Sequence, residues 1–265
     1  GFTFDRGGQL GPSVRWYSQS KAAYKSLGAA YDPEGYTTLL NNLAYGYAKQ
    51  GRMTLARTIG HDALRINEET GNRYTTGLTL ATLSTITVMR GNYAKAVEYG
   101  EAALKLFEEL EDVYGTLLAY LVIAQAKRRG AKHELEKGLT TNLPEIEHQL
   151  LAAKGILETS LALAETANLE SRLVDLRAEY GRLHRDLGRL QMRREGIEAA
   201  LPIYHTGARQ LHQALESENL GTADRVDLLE DLGEILLLSG DVEGTQACIQ
   251  DAESRIPDIY QTIHI

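Results

Sequence analysis

Apolar residues recur at helical spacing along most of the chain, and the pattern itself repeats about every forty residues. The segment "LLNNLAYGYAKQGRMTLARTIGHDALRI" (39–66) aligns with "LATLSTITVMRGNYAKAVEYGEAALKL" (80–106). The aligned small residues are Gly51 with Gly91, Ala56 with Ala96, and Ala63 with Ala103. Glycine suits a left-handed turn between helices, because it has no Cβ to clash there. Each segment therefore predicts a hairpin of two helices.

Two further copies of the pattern follow, and the region between the two pairs is irregular. Residues 186–210 and 231–257 each carry the glycine and alanine positions of a hairpin. Residues 115–130 predict the first helix of a third hairpin, but the next residues depart from the pattern. Apolar spacing there predicts an irregular long helical hairpin at about 142–194. It is either an insertion in the array or a projecting docking arm.

The two ends of the chain predict incomplete units. Residues 1–33 are interpreted as a leader and the second helix of an incomplete repeat, residues 34–260 as the main array, and residues 261–265 as a truncated end. Five residues of that second helix are expected to pack inward: Trp16, Tyr17, Ala23, Tyr24 and Leu27. Uncapped end repeats expose faces that a neighbour normally covers. We therefore expect either further repeats in a longer chain or self-association through the uncapped ends.

The helix pairs resemble the tetratricopeptide repeat (TPR), a helix–turn–helix unit of 34 residues. The first-helix signature reads Leu40, Leu43-Ala44 and Tyr47 in one repeat, and Leu229, Leu232-Gly233 and Leu236 in another. The second-helix signature fits at Ala200, Tyr204 and Gly207, and departs from the family at Gly60, Gly100 and Thr245. The resemblance implies an all-α fold: a right-handed superhelical solenoid of antiparallel helix pairs, with about five repeats plus partial terminal ones.

The long spacing between repeats resembles a particular variety of the family. Phrases such as "ALRINEETGNRY" and "ALKLFEELEDVY" are similar to the sensor arms of bacterial signal-transducing (STAND) ATPases and activators, such as the maltose-operon activator. That resemblance implies the sensor or interaction region of a larger bacterial signalling regulator, in which ligand binding shifts an autoinhibited state.

Charge and composition exclude several classes of protein. The chain has 28 basic and 36 acidic residues and a net charge of −8, which disfavours a nucleic-acid partner. No apolar run approaches the roughly 20 residues that span a bilayer, so no membrane partner is expected. Cys248 is the single cysteine and cannot form an intrachain disulfide, which suits a reducing cytoplasm. The sequence therefore predicts a cytoplasmic protein.

No catalytic constellation is present in the sequence. It lacks the phosphate-loop, zinc-protease, nucleophile-elbow and Cys-x-x-Cys motifs. His205 and His212 share a helical face, but two histidines are too few for the usual zinc site. We therefore expect no enzymatic activity, no cofactor and no metal.

The TPR resemblance also implies a binding surface, because certain first-helix positions line the concave groove of that family. Carried onto this sequence, those positions give twelve candidates: Asn41, Tyr45, Lys49, Leu78, Thr85, Met89, Tyr120, Arg128, Arg182, Arg185, Arg189 and Arg193. The implied ligand is a peptide, a protein partner or a small inducer. A carboxylate clamp, as in chaperone-binding members, is incomplete because only Asn41, Lys49 and Arg128 could contribute.

Four of the candidates form an arginine stripe. At 100° per residue, Arg182, Arg185, Arg189 and Arg193 fall within an arc of about 80°. In the first helix of the following repeat, the matching positions are Asp227, Glu230 and Glu234. Three interpretations stay open: an ion-pair ladder between repeats, aided by Glu179 and Asp186, a site for an anionic peptide or phosphate-bearing ligand, and readout of duplex DNA.

The functional prediction is a non-enzymatic binding module that uses its concave groove. The alternative is a structural or oligomerisation scaffold without a soluble ligand, which the uncapped ends and the long hairpin motivate.

Overall fold

The structure, a computed structural model, describes residues 10–27, 32–137, 142–218 and 220–263. Within these stretches the chain forms eleven helices and no strand. Their bounds are α1 Leu10–Ser26, α2 Pro33–Lys49, α3 Met53–Thr70, α4 Arg73–Met89, α5 Tyr93–Glu109, α6 Val113–Glu136, α7 Leu143–Thr166, α8 Glu170–Glu195, α9 Ile197–Leu215, α10 Thr222–Ser239 and α11 Val242–Ile263. The predicted leader before residue 10 and the last two residues lie outside the described stretches.

The chain divides into two compact units, and the division falls inside α6. Unit 1 (Gly1–Ala126) contains α1 to α5 and the first part of α6, and unit 2 (Lys127–Ile265) contains the remaining helices. The region of the predicted long hairpin holds α7 and α8, which have 24 and 26 residues.

The turns of the two aligned hairpins depend on glycine. Gly51 and Gly91 have φ angles of 75° and 78°, the left-handed conformation that the aligned sequences predict. Their amides donate to the carbonyl oxygens of Ala48 and Val88, each at 2.9 Å. After the second turn, the Asn92 side chain accepts from the Lys95 amide at 3.3 Å and begins α5. Any residue with a Cβ would strain either turn.

Small residues allow the helices of unit 1 to cross closely. The aligned alanines are all fully buried: Ala56, Ala63, Ala96 and Ala103. Gly60 and Gly100, which depart from the family signature, face large side chains. A Cβ on Gly60 would lie 2.8 Å from Leu83 Cδ2, and one on Gly100 would lie 2.6 Å from Ile123 Cγ1. Gly60 therefore makes room for Leu83 of α4, and Gly100 makes room for Ile123 of α6. In both cases the bulky residue lies on the first helix of the following hairpin.

Helix α1 packs differently from the prediction. Tyr17 is buried and Tyr24 is half-buried against the core of α2 and α3. The inward packing expected of Trp16, Ala23 and Leu27 is wrong, because all three are exposed. The physical reason is angular: these three residues lie about 90° around the helix from the two tyrosines.

In unit 2, α8, α9 and α10 share one core. Tyr204 of α9 is fully buried, and its ring lies where a Cβ on Gly188 of α8 would be, with Cε1 only 2.3 Å away. The same cluster contains Leu228, Leu232 and Ile235 of α10. Helix α10 therefore packs against the α8–α9 hairpin, which brings its acidic residues towards α8.

Candidate functional site

The arginine stripe of α8 meets carboxylates of α10. Arg182 Nε lies 2.5 Å from Asp231 Oδ2. Arg185 Nη1 lies 2.8 Å from Asp231 Oδ1 and 2.6 Å from Glu234 Oε2. Arg189 also pairs with Glu234. Of the three interpretations of the stripe, these contacts support the ion-pair ladder.

Arg128 of α6 belongs to the same network and is only 3% exposed. Its Nε lies 2.5 Å from Glu179 Oε1, and its Nη1 lies 2.7 Å from Asp186 Oδ2. Both carboxylates are buried as well. Burial alone would lower the pKa of Arg128, but Glu179 and Asp186 outweigh burial and raise it. Arg128 is therefore charged, and its guanidinium group is paired with two carboxylates.

Glu179 and Asp186 connect Arg128 with the stripe. Arg182 Nη1 lies 3.8 Å from Glu179 Oε2, and Arg185 Nε lies 3.4 Å from Asp186 Oδ1. In the described part of unit 2, four guanidinium groups thus meet four carboxylates in one network. An anionic ligand would have to displace a carboxylate that is already in place, so the stripe offers little uncompensated charge.

Two details of the predicted ladder differ in the structure. Arg193 donates through Nη1 to the carbonyl oxygen of Leu135 at 2.6 Å, so it links α8 to the end of α6. Glu230, a predicted partner, is exposed, and its neighbour Asp231 contacts the arginines instead. These two residues lie 100° apart on a helix, so the face of α10 towards α8 is rotated relative to the family register.

In unit 1, the predicted residues lie on partly exposed helix faces. Spacings of i, i+4 and i+8 place Asn41, Tyr45 and Lys49 on one face of α2, and spacings of i, i+7 and i+11 place Leu78, Thr85 and Met89 on one face of α4. Lys49 is exposed, and the other five and Tyr120 of α6 are half-buried. Helices α2 and α4 pack side by side. The structure therefore separates the twelve candidates into an accessible set in unit 1 and a set in unit 2 that is mostly engaged in ion pairs.

Asn41 is the distinctive polar residue of the unit 1 face. Its Oδ1 is buried and has no hydrogen-bond partner among the residues that the structure describes. A buried acceptor without a donor costs about 1–3 kcal/mol, and turning the half-buried Asn41 side chain towards a ligand N–H would relieve that cost. Nearby groups of this face already have interactions. Lys49 Nζ lies 5.8 Å from the centroid of the Tyr45 ring, and the Thr85 hydroxyl donates to the Ala81 carbonyl oxygen at 3.2 Å.

An apolar groove of about 410 Å³ lies between α10 and α11 of unit 2. Its apolar lining consists of Val226, Leu229, Gly233, Leu237, Cys248, Ile249 and Ala252. Leu237 is 60% exposed and Ile249 is 51% exposed. Glu230 and Glu253 also line the groove and are exposed. The groove is a surface feature that the sequence-based residue assignments missed.

The described residues offer little reactive chemistry. Burial is the main factor that raises the pKa of the Cys248 thiol, and Asp251 and Asp241 raise it further. The thiol is therefore protonated near neutral pH. Among the described residues, no group of three or more His, Cys, Asp or Glu is placed to hold a metal ion. No helix in the described stretches combines the length and the apolar composition needed to cross a membrane.

Comparisons with known proteins agree with this architecture. Residues 36–109, which cover most of α2 and all of α3, α4 and α5, match the family model described as Tetratricopeptide repeat. The match shows tetratricopeptide repeats in this segment of unit 1. No curated protein matches the sequence.

Two solved structures extend the TPR likeness beyond the matched segment. BtubC (BKLC) from P. vanneervenii has a TM-score of 0.59 at 18% identity, over 95% of this chain and 92% of that chain. A Podosopora anserina protein named as a kinesin light chain, with nearly identical TPR-like repeats, has a TM-score of 0.52 at 15% identity, over 86% of this chain and 97% of that chain. The predicted all-α, TPR-like fold is confirmed. The likeness to STAND sensor arms stays a prediction.

The groove positions of the TPR family identified the arginines of α8, but they did not identify Asp231 as a partner. Asp231 directly follows Glu230, so a small rotation of α10 decides which of the two faces α8. Leu236, Leu237 and Leu238 are consecutive, and consecutive residues cannot all face one core. That run was the signal in the sequence for an exposed leucine beside the α10–α11 groove.

Proposed function

We propose that this TPR protein is a non-enzymatic binding module for a peptide or protein partner, and that the α2–α4 face of unit 1 is its binding surface. TPRs generally mediate protein–protein interactions, which supports the general part of the proposal. The observation that carries the specific part is the buried, unpartnered Oδ1 of Asn41. It is an acceptor placed on a face where the predicted ligand-contacting residues are only half-buried.

The chemistry of this face suits a peptide. A peptide N–H donates to Asn41 Oδ1, and apolar ligand side chains pack on Tyr45, Leu78, Met89 and Tyr120. Lys49, which is exposed, attracts an acidic group of the ligand. The binding energy comes mainly from apolar burial, and the hydrogen bond sets the register.

The arginines are assigned a structural role in this proposal. Arg182, Arg185 and Arg189 already pair with α10, and Arg128 pairs with buried carboxylates. Because each has a carboxylate partner, we leave them out of the ligand surface.

The wider context of the module rests on resemblance alone. We propose that it acts in the cytoplasm as the sensor part of a bacterial signalling regulator, with a small inducer as an alternative ligand. A second candidate function is a self-associating scaffold, and the apolar α10–α11 groove is the observation that favours it.

Replacing Asn41 tests the binding surface. Peptides are selected from a displayed library of random sequences on the immobilised protein, and their affinities are measured by calorimetry. We expect Asn41→Ala to weaken the selected peptides about threefold to tenfold, the effect of losing one hydrogen bond. The variant should melt no lower than the wild type, because the substitution removes an unsatisfied buried acceptor.

Two control variants accompany this measurement. Asn42→Ala replaces the same residue type one position along α2 and should leave affinity unchanged. The double variant Arg185→Ala with Arg189→Ala should lower the melting temperature and keep peptide binding. Unchanged affinity in Asn41→Ala together with lost affinity in the arginine variant would overturn the proposal.

A further inference from the structure

The α10–α11 groove is an apolar surface that the peptide-binding proposal does not use. Leu237 and Ile249 reach into solvent along it, although large apolar side chains contribute most when they are buried. The carboxylates of Glu230 and Glu253 flank these residues. A suitable occupant is therefore an apolar surface that carries positive charge.

The molecule itself shows what kind of element fills such a groove. The preceding hairpin, α8–α9, is covered by α10. Leu228, Leu232 and Ile235 of α10 follow an i, i+4, i+7 spacing and belong to the core shared with α9. Ile235 Cδ1 lies 3.1 Å from where a Cβ on Gly207 of α9 would be, so contact with the hairpin is close. The charges of α10 are opposite to those of the α8 stripe. By this example, the α10–α11 groove accepts a helix with an apolar stripe and positive charge.

Helix α1 of a second copy has these properties. Trp16, Ala23 and Leu27 lie within an arc of about 40° and are all exposed, with Trp16 at 52%. The sequence of α1 contains three basic residues and no acidic one. The sequences of α10 and α11 together contain nine carboxylates and two arginines. Helix α1 therefore offers an exposed apolar stripe and a net positive charge, whereas α10 and α11 carry a net negative charge.

We propose that the α10–α11 groove of one copy receives α1 of a second copy, so that the protein self-associates head to tail. The inference rests on the second candidate function, the scaffold, and is independent of the peptide surface in unit 1. Because the two surfaces differ, each copy keeps one surface unoccupied in a dimer, and association can continue into open chains or rings. A single helix in a groove is a small interface, so the association is weak and depends on concentration.

Trp16 provides a direct signal, since it is the single tryptophan of the sequence. We expect its fluorescence emission to shift to the blue as the wild-type concentration rises, in parallel with the mass from light scattering. Leu237→Glu should raise the dissociation constant at least about tenfold, because it places a charge in the apolar groove. Val242→Glu is the matched control: Val242 is exposed at the start of α11 but does not line the groove, and this variant should associate like the wild type.

Mixing two variants tests the head-to-tail geometry. Trp16→Glu removes the apolar contact of α1 and the fluorophore but leaves the groove intact. Leu237→Glu leaves α1 intact but places a charge in the groove. Each variant alone should be monomeric, and the mixture should form a heterodimer in which the remaining Trp16 emission shifts to the blue. Circular dichroism checks that both variants remain folded.

Three results would overturn the inference. One is a wild-type mass that stays monomeric over the concentration range. Another is a Trp16→Glu variant that dimerises alone, since that indicates groove-to-groove contact. The third is a mixture without an emission shift. None of these results bears on the Asn41 measurement, so the two proposals fail separately.

Discussion

Replacing Arg128 by methionine lowers the free energy of unfolding by about 3–5 kcal/mol. The substitution keeps most of the side-chain volume but removes the shortest ion pairs of Glu179 and Asp186, which then keep only the longer contacts to Arg182, Arg185 and Arg189. Both carboxylates are almost completely inaccessible to water, so solvent cannot replace the guanidinium. Urea unfolding followed by circular dichroism measures the change.

A surface ion pair is the control for Arg128. Arg65 and Glu69 are one turn apart on α3 with both side chains largely exposed. Because solvent screens such a pair, Arg65→Met costs at most about 0.5 kcal/mol. The double variant Arg128→Met with Glu179→Gln should lose less than the sum of its single variants, because one orphaned charge has been removed. An Arg128→Met cost as small as that of Arg65→Met would contradict the buried network.

Replacing Phe107 by alanine costs about 3–5 kcal/mol, the loss typical of a truncated buried aromatic side chain. The Phe107 ring is fully buried in unit 1 and lies against two glycines. A Cβ on Gly77 of α4 would lie 2.8 Å from Phe107 Cζ, and one on Gly115 of α6 would lie 2.2 Å from Cδ1. Three helices therefore meet at one ring, and thermal or urea unfolding measures its removal.

Gly115 supplies the reciprocal test of this packing. Gly115→Ala should destabilise the protein by about 1–3 kcal/mol, because the added methyl group overlaps the ring. The same substitution should cost less in a Phe107→Leu background, which opens space beside it. Leu110→Ala, at an exposed leucine just after α5, is the control and should stay within about 0.5 kcal/mol of the wild type. Equal costs at Phe107 and Leu110 would refute the packing account.

The helical hairpins of unit 1 could be predicted because the turn glycines and the small residues at the helix crossings indicate the same hairpins. Gly51 and Gly91 have the conformation that their alignment implied, and the paired alanines are buried at the helix crossings. The packing of α1 could not be predicted in the same way. Its apolar residues are spread over more than half of the helix circumference, so the sequence pattern does not say which part faces the core.

The ion-pair network shows that residue positions carried over from the TPR family do not identify every contact of the arginines. The stripe on α8 followed from spacing alone, since four arginines at helical intervals must share a face. The choice of Asp231 over Glu230 depends on a rotation of α10 that only packing determines. The role of Arg128 depends on a contact to residues more than fifty positions away, and no local pattern encodes that contact.

The same network explains why positive charge on a predicted inner face need not indicate a ligand. Each of Arg182, Arg185 and Arg189 has a carboxylate partner within the chain. Asn41, in contrast, has a buried acceptor atom without a donor. For this reason the proposed peptide surface is placed around Asn41 in unit 1 and not on the paired arginines of unit 2.

Amide hydrogen exchange with and without a selected peptide tests the binding surface most directly. The account predicts slower exchange in α2 and α4 when the peptide is bound, with α8 unchanged, and weaker protection of α2 and α4 in Asn41→Ala at the same peptide concentration. Protection confined to α8 and α10, with α2 and α4 unchanged, would contradict it.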